Sequence, residues 1–316
     1  MDLKLKAILS GLSTYLPWFD RKGFTGGTDS ARYCYSVWLR HLILGWYGRA
    51  AGNTVPGVVA ELGPGDSIGI GLAALLSGAE KYFALDLVPY SALAKNLEIF
   101  DELVALFSVR APIPDESEFP FLFPKLQRYD FPVQLLGAER LGKSLASQRL
   151  AKIRSSIENS EGRESMISYR APWNAPEVID EGSVDFIFSQ AVLEHVDDLG
   201  GVYSAMRQWL RPGGVMTHQI DFKSHGKANA WNGHWTYEDI VWKAIVGRRA
   251  YLLNRQPHSV HLQHLVQSGF RILEDVAFRS ESHLERGHLA AKFRALSEED
   301  LTTSGAFIVA VPARGA

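Results

Sequence analysis

The sequence predicts an α/β fold built on a doubly wound, mainly parallel sheet. Three observations carry this expectation. Short β-branched runs alternate with stretches of helical periodicity along most of the chain. The first clear run, Val55 to Leu62, is apolar on both faces, as a central parallel strand must be. It ends in the glycine-rich turn Gly63-Pro64-Gly65, where a strand feeds a helix.

Two helical patterns come first, near 3–16 and 30–48. The second follows Thr25-Gly26-Gly27-Thr28 and opens at Asp29 or Ser30, side chains that cap helix starts. After the strand at 55–62 the expected order is helix 67–78, strand 81–86 and helix 89–108. Residues 111–137 break the pattern with prolines at 112, 114, 120, 124 and 132 among aromatics. A polar helix near 137–158 and a short strand at 166–170 follow. Alternation resumes with strand 184–189, helix 199–210 and strand 214–221. A Trp- and His-rich stretch, 222–257, interrupts again. The end reads as helix 259–268, strand 270–278, an irregular 280–303 and a last strand, 306–311. We therefore expect an N-terminal helical extension or lid over 1–50. The main α/β domain would fill 51–316, with insertions at about 110–162 and 222–257. Such insertions commonly shape a ligand crevice at the strand ends.

Composition narrows the function class. Of 316 residues, 46% are apolar and 22% charged, the balance of an ordinary globular protein. A formal net charge of -2 gives no electrostatic case for a nucleic-acid partner. The single cysteine, Cys34, excludes an internal disulfide and any thiolate zinc cluster, which fits a cytoplasmic location. No apolar run approaches the ~20 residues of a transmembrane helix. The opening stretch Met1 to Ser10 sets two lysines before apolar residues, but Gly11, Ser13 and Thr14 interrupt it and no small-residue cleavage pattern follows. It reads as an amphipathic helix packed on the protein, with a helix resting on a membrane surface as the alternative.

The strongest local signal is Glu61-Leu62-Gly63-Pro64-Gly65-Asp66-Ser67. Glycines there let the backbone turn tightly and a ligand approach closely. Asp86 ends the next strand, 21 residues after Gly65, where a carboxylate can accept both hydroxyls of a ribose. The pair alone suits a nicotinamide dinucleotide as well. Against that cofactor, Ile68 stands where a third glycine is wanted, and Glu61 would repel a pyrophosphate while attracting an ammonium group.

Glu61-Leu62-Gly63-Pro64-Gly65 resembles the first motif of class I S-adenosylmethionine-dependent methyltransferases of the type 11-like kind. The resemblance continues in Asp185-Phe186-Ile187-Phe188-Ser189-Gln190-Ala191-Val192-Leu193-Glu194-His195-Val196, and in the turn Leu210-Arg211-Pro212-Gly213-Gly214-Val215. It implies a Rossmann-like sheet with S-adenosylmethionine as cofactor. Glu61, Gly63 and Gly65 would hold the methionine end, with the Glu61 carboxylate near its amino group. Asp86 would take the ribose hydroxyls, Leu87 would lie beside the adenine, and Gln190 and Ala191 would flank the methyl group. Where the family often has a polar residue for the adenine amine, this chain has Arg170-Ala171-Pro172-Trp173, so that Trp173 either stacks on adenine or belongs to the core.

For methylation of a hydroxyl, a base must lie near the ends of the fourth and fifth strands. His218-Gln219-Ile220-Asp221-Phe222-Lys223-Ser224-His225 ends the fifth. Its candidates are His225 as base, oriented by Asp221, or Asp221 binding a divalent cation that polarises the hydroxyl. His195 and then His218 are next in line. Nine of ten histidines lie after residue 194, and 222–257 adds Trp231, Trp235, Trp242, Tyr237 and Tyr251, which bind a sugar face or pack the insertion. His258, His261 and His264 share one helix face and read as an ordinary polar face beside Gln263 and Gln267. Segments around Gly26 to Arg40 and 218–255 are softly similar to bacterial glycan-associated methyltransferases. Together these imply O-methylation of a sugar, glycan or other small hydroxylated acceptor. Methylation of a quinone, lipid or natural product, or a silent cofactor-binding relative, are the alternatives. In the lid reading Tyr33, Tyr35 or Arg40 reaches inward.

Overall fold

The computed structural model describes residues 2–18, 27–49, 54–160, 162, 164–173 and 175–313. In chain order the helices are α1 (Leu3–Ser13), α2 (Ala31–His41), α3 (Gly69–Ser77), α4 (Leu93–Ser108), α5 (Ala138–Ser144), α6 (Ser147–Glu158), α7 (Leu199–Trp209), α8 (Asp239–Val246), α9 (His258–Gln267) and α10 (Glu298–Thr302). The strands are β1 (Val58–Leu62), β2 (Lys81–Leu85), β3 (Ile167–Arg170), β4 (Val184–Gln190), β5 (Leu210–Asp221), β6 (Phe270–Arg279) and β7 (Thr303–Pro312).

Among the described residues seven strands form one sheet in the order β3-β2-β1-β4-β5-β7-β6. The first five are parallel, and β7 runs antiparallel between β5 and β6. The order reverses between β1 and β4, so a crevice opens at their carboxyl ends, where such sheets take ligands. The expected doubly wound, mainly parallel sheet is the observed one, and the pair 270–278 and 306–311 completes its edge.

Alternation along the strands divides the core in two. Val59, Phe186, Phe188 and Val215 face the layer of α2, α3 and α4, whereas Ala60, Ile187, Met216 and Ile308 face that of α7 and α9. Helix α2 starts where Ser30 accepts a hydrogen bond from the Tyr33 N–H. It then buries Trp38 against Phe186 and Phe188, with ring centroids 6.1 and 5.8 Å away. The expected helix over 30–48 instead loosens into a π-helical turn, Leu42–Trp46, where it crosses the sheet. Such insertions are frequent at functional sites. The boundary expected at residue 50 lies outside the described residues.

The two irregular stretches differ in role. From 111 to 136, Ile113, Leu122, Leu126, Phe131, Leu135 and Leu136 are buried on α2 and α4. The polar helix expected over 137–158 is two helices, α5 and α6. Residues 222–257 hold α8, on which α1 packs through Ala7. Among the described residues no helix is long and apolar enough to cross a membrane.

Candidate functional site

A cavity of about 860 Å³ lies at the carboxyl ends of β1, β2 and β4, within the roughly 300–1,000 Å³ usual for a small-molecule site. Its floor is the turn after β1. Gly63 and Gly65 adopt φ of 66° and 72°, the left-handed region in which a side chain is strained. A Cβ on Gly63 would also lie 2.5 Å from the Val192 side chain. The turn thus exists only with glycine and presents bare backbone to the cavity.

Asp86 leaves the end of β2 with 8% of its surface exposed. One carboxyl oxygen accepts from the Gly65 N–H at 3.2 Å, the other from the Leu87 N–H at 2.7 Å. Burial pushes this carboxyl up and these backbone bonds pull it down. The oxygen bonded to Leu87 also accepts, at 3.5 Å, from the Val88 N–H, so the group is fixed in orientation and the oxygen bonded to Gly65 keeps a lone pair for a ligand hydroxyl. Leu87 and Trp173 line the cavity on the same side. Trp173 also packs edge-on to Trp209, 5.3 Å between centroids, so it is both wall and core.

Gln190 and Ala191 follow β4 and line the opposite wall. Ala191 takes φ of 53°, a strained conformation for a residue with a Cβ, and donates its N–H to the Gln219 carbonyl at 2.9 Å. His41, at the end of α2, holds Gln190. Its Nε2 lies 3.1 Å from Gln190 Oε1 and its Nδ1 2.7 Å from Thr217 Oγ1. The amide oxygen only accepts, so Nε2 carries the proton and Nδ1 accepts from the threonine. Burial pushes this imidazole down to about 4, which keeps it neutral. The sequence reading did not assign His41 a role; helical periodicity alone gives no sign that it reaches β4.

Glu61 stands elsewhere. It is buried beneath α3, where its carboxyl accepts from the Tyr82 hydroxyl and the Gly71 N–H, and burial pushes it up to about 8. It does not line the cavity, in contrast to the expectation of a direct contact with the cofactor's amino group. The reason is alternation: Glu61 and Leu62 point to opposite faces of β1, and Leu62 is the one at the cavity.

Past β5 the chain doubles back. His225, with φ of 45°, reaches the cavity lip, and its Nε2 lies 3.5 Å from Asp221 Oδ2. The other Asp221 oxygen accepts from the Lys223 N–H at 2.9 Å and from its ammonium at 3.2 Å. Burial raises the Asp221 carboxyl, but the His225 hydrogen bond and the nearby cations outweigh it and leave the group below its ordinary range. That ammonium makes Asp221 a poor ligand for a divalent cation. Among the described residues no three of His, Cys, Asp and Glu converge as a metal cluster.

His195 lines the same wall, its ring 5.2 Å from that of His225. Burial, then the neighbouring His225, push it down to about 4. Tyr251 and Tyr90 close this end, their hydroxyls 3.0 Å apart. His218 instead faces the core, where its Nδ1 bonds Ser189 at 2.8 Å. Of the residues expected to reach inward from the N-terminal helices, only Tyr33 does, beside Gln190. Tyr35 donates to the Ala111 carbonyl and Arg40 to those of Pro114 and Pro124, both within the 111–136 packing. No residue of that proline-rich stretch lines the cavity. His258 pairs with Asp275, and His261 with Tyr203, away from the site.

Comparison with known proteins agrees with this geometry. The family model described as a methyltransferase domain matches residues 45–251, more than half of the chain. A search of curated proteins finds no match. Among solved structures, an S-adenosylmethionine-dependent methyltransferase from Mesorhizobium loti is 14% identical, with 90% of this chain and 99% of that one covered and a TM-score of 0.41. A geranyl diphosphate C-methyltransferase from Streptomyces coelicolor is 11% identical, covering 93% and 87%, at 0.44. The cradle at the β1 and β2 ends suits an adenosyl ligand, and the sequence matches the family across it: the chain belongs to the methyltransferase-domain family and is an S-adenosylmethionine-dependent methyltransferase.

Proposed function

We propose that this enzyme transfers the methyl group to a hydroxyl oxygen of a sugar, glycan or other small hydroxylated acceptor. The observation that carries the reading is the Asp221–His225 pair at 3.5 Å, on the lip of the cavity that Asp86, Gln190 and Ala191 line. When bound, the cofactor supplies an electrophilic methyl group on a sulfonium. Asp86 is placed to accept ribose hydroxyls, and the bare backbone of Gly63 and Gly65 to receive the methionine end. Leu87 and Trp173 offer the apolar wall that an adenine ring requires.

The acceptor must lose a proton as its oxygen bonds to the methyl carbon, while the carbon–sulfur electron pair returns to sulfur. His225 is positioned to take that proton, and the Asp221 carboxylate orients the imidazole and stabilises its charged form. His195, neutral beside it, is placed to bond the acceptor. Tyr90 and Tyr251 give a polar aromatic rim of the kind that contacts sugar rings. This observation favours base catalysis over the cation-assisted route, because Lys223 already occupies Asp221.

His225→Ala and Asp221→Ala should leave S-adenosylhomocysteine affinity unchanged and lower turnover on a hydroxylated acceptor at least ~100-fold, the usual scale of general-base catalysis. Release of labelled methyl groups from the cofactor is the readout. Near-normal turnover in both variants would place the base elsewhere.

A further inference from the structure

Among the described residues, helix α1 has no partner on its most apolar stripe. It packs on α8 through Ala7 and Gly11. On the opposite side Leu5, Leu9 and Leu12 are each nearly half exposed, at 48%, 48% and 49%. At 3.6 residues per turn these three leucines fall within about 60° of arc. The chain just beyond the helix adds further exposed apolar side chains, Tyr15, Leu16 and Trp18, the last 79% exposed. Monomeric proteins rarely spend so many large apolar side chains on one face.

The charge beside this stripe says what it fits. Residues 2–18 carry two lysines and one acidic residue, the capping Asp2, in a chain of formal net charge -2. Lys4 and Lys6 flank the leucine stripe, one on each side, by the same helical geometry, and the Lys4 ammonium lies over the Tyr237 ring at 5.6 Å. Two further cations border α1: Arg248 lies over the Tyr15 ring at 4.9 Å, and Arg249 donates to the Ser10 carbonyl and hydroxyl at 2.9 and 2.7 Å. A narrow leucine face between lysines, with a tyrosine and a tryptophan at one end, is the pattern of a helix lying in a lipid headgroup region. Leucines enter the acyl boundary, aromatic rings sit at headgroup level, and lysines extend to lipid phosphates.

We propose that α1 and its following turn dock the enzyme on the surface of an anionic phospholipid bilayer, without crossing it. The leucine stripe supplies the insertion and the four cations supply the preference for negative lipid. No residue of 3–18 lines the cavity.

The test is co-sedimentation of the full chain with vesicles of phosphatidylcholine alone and with phosphatidylglycerol added. The wild type should sediment with the anionic vesicles, and weakly or not at all with the neutral ones. Leu9→Glu/Leu12→Glu should reduce that partitioning at least ~10-fold, since two leucines forfeit their transfer from water. Lys4→Gln/Lys6→Gln should reduce it roughly 10-fold for anionic vesicles only. Unchanged thermal melting and S-adenosylhomocysteine binding would show that each variant is folded. Failure of the wild type to bind anionic vesicles, or equal binding by the leucine variant, would overturn the proposal. So would a wild-type dimer that the leucine variant converts to monomer, which would make a second copy the occupant.

Discussion

At the scale of single residues, the site divides into groups held by backbone and groups held by other side chains. Asp86 is of the first kind: its oxygens are already bonded to the Gly65 and Leu87 N–H groups, so it meets a ligand without rearranging. Asp86→Ala should weaken binding of S-adenosylhomocysteine by ~1–3 kcal/mol, the loss of a charged hydrogen-bond acceptor. Unchanged affinity by calorimetry in a folded variant would remove the ribose assignment. Gly63, Gly65 and Asp86 were legible from the motif and its spacing, and Leu87, Gln190 and Ala191 followed only from the family resemblance; all six line the cavity. Glu61 shows the limit of that reading. Its position in the motif was clear, but the face of β1 that its side chain takes depends on Tyr82 and α3, which spacing does not reveal. His41 shows the converse, since its contact with Gln190 joins residues 149 positions apart.

At the scale of elements, the strands and most helices were readable because buried parallel strands and amphipathic helices carry strong periodicities. Their ends and breaks were not. The π-helical turn at Leu42–Trp46 arises where α2 meets β4 and β5, a tertiary event without a local signal. Likewise α10 hides within 280–303, because five residues are too few for a period to show. Helix α3 depends on one close approach: a Cβ on Gly71 would lie 2.0 Å from the Tyr82 ring, the same tyrosine that binds Glu61. Gly71→Ala should therefore destabilise the fold by ~1–3 kcal/mol as overpacking, despite alanine's better helix propensity. Chemical denaturation checks this, and a stabilised variant would show that β2 yields freely.

At the scale of the whole molecule, the buried histidines set a dependence on acid. Burial pushes His41 and His195 down to about 4, and His218, His234 and His261 down to about 3. Each stays neutral in the fold but takes up a proton once unfolded below its ordinary value of about 6.5. The stability that depends on them is whole above that value and is lost as pH falls toward 4. Buried carboxyls act in the opposite sense, since burial pushes Glu61, Glu194 and Asp86 up and favours their protonated forms in the fold. The five imidazoles outnumber these carboxyls, so acid destabilisation dominates. Denaturant unfolding at steps from pH 7.5 to 5 should show a steep fall below 6.5, and a flat profile would mean that these histidines reach solvent.

The whole-molecule claim is that the crevice between β1 and β4 is built for S-adenosylmethionine. Calorimetric titration with S-adenosylhomocysteine, with a nicotinamide dinucleotide as parallel control, tests it most directly. Micromolar binding of the first, abolished or weakened by Asp86→Ala, and none of the second is the expected result. Binding of the dinucleotide in place of S-adenosylhomocysteine would contradict it.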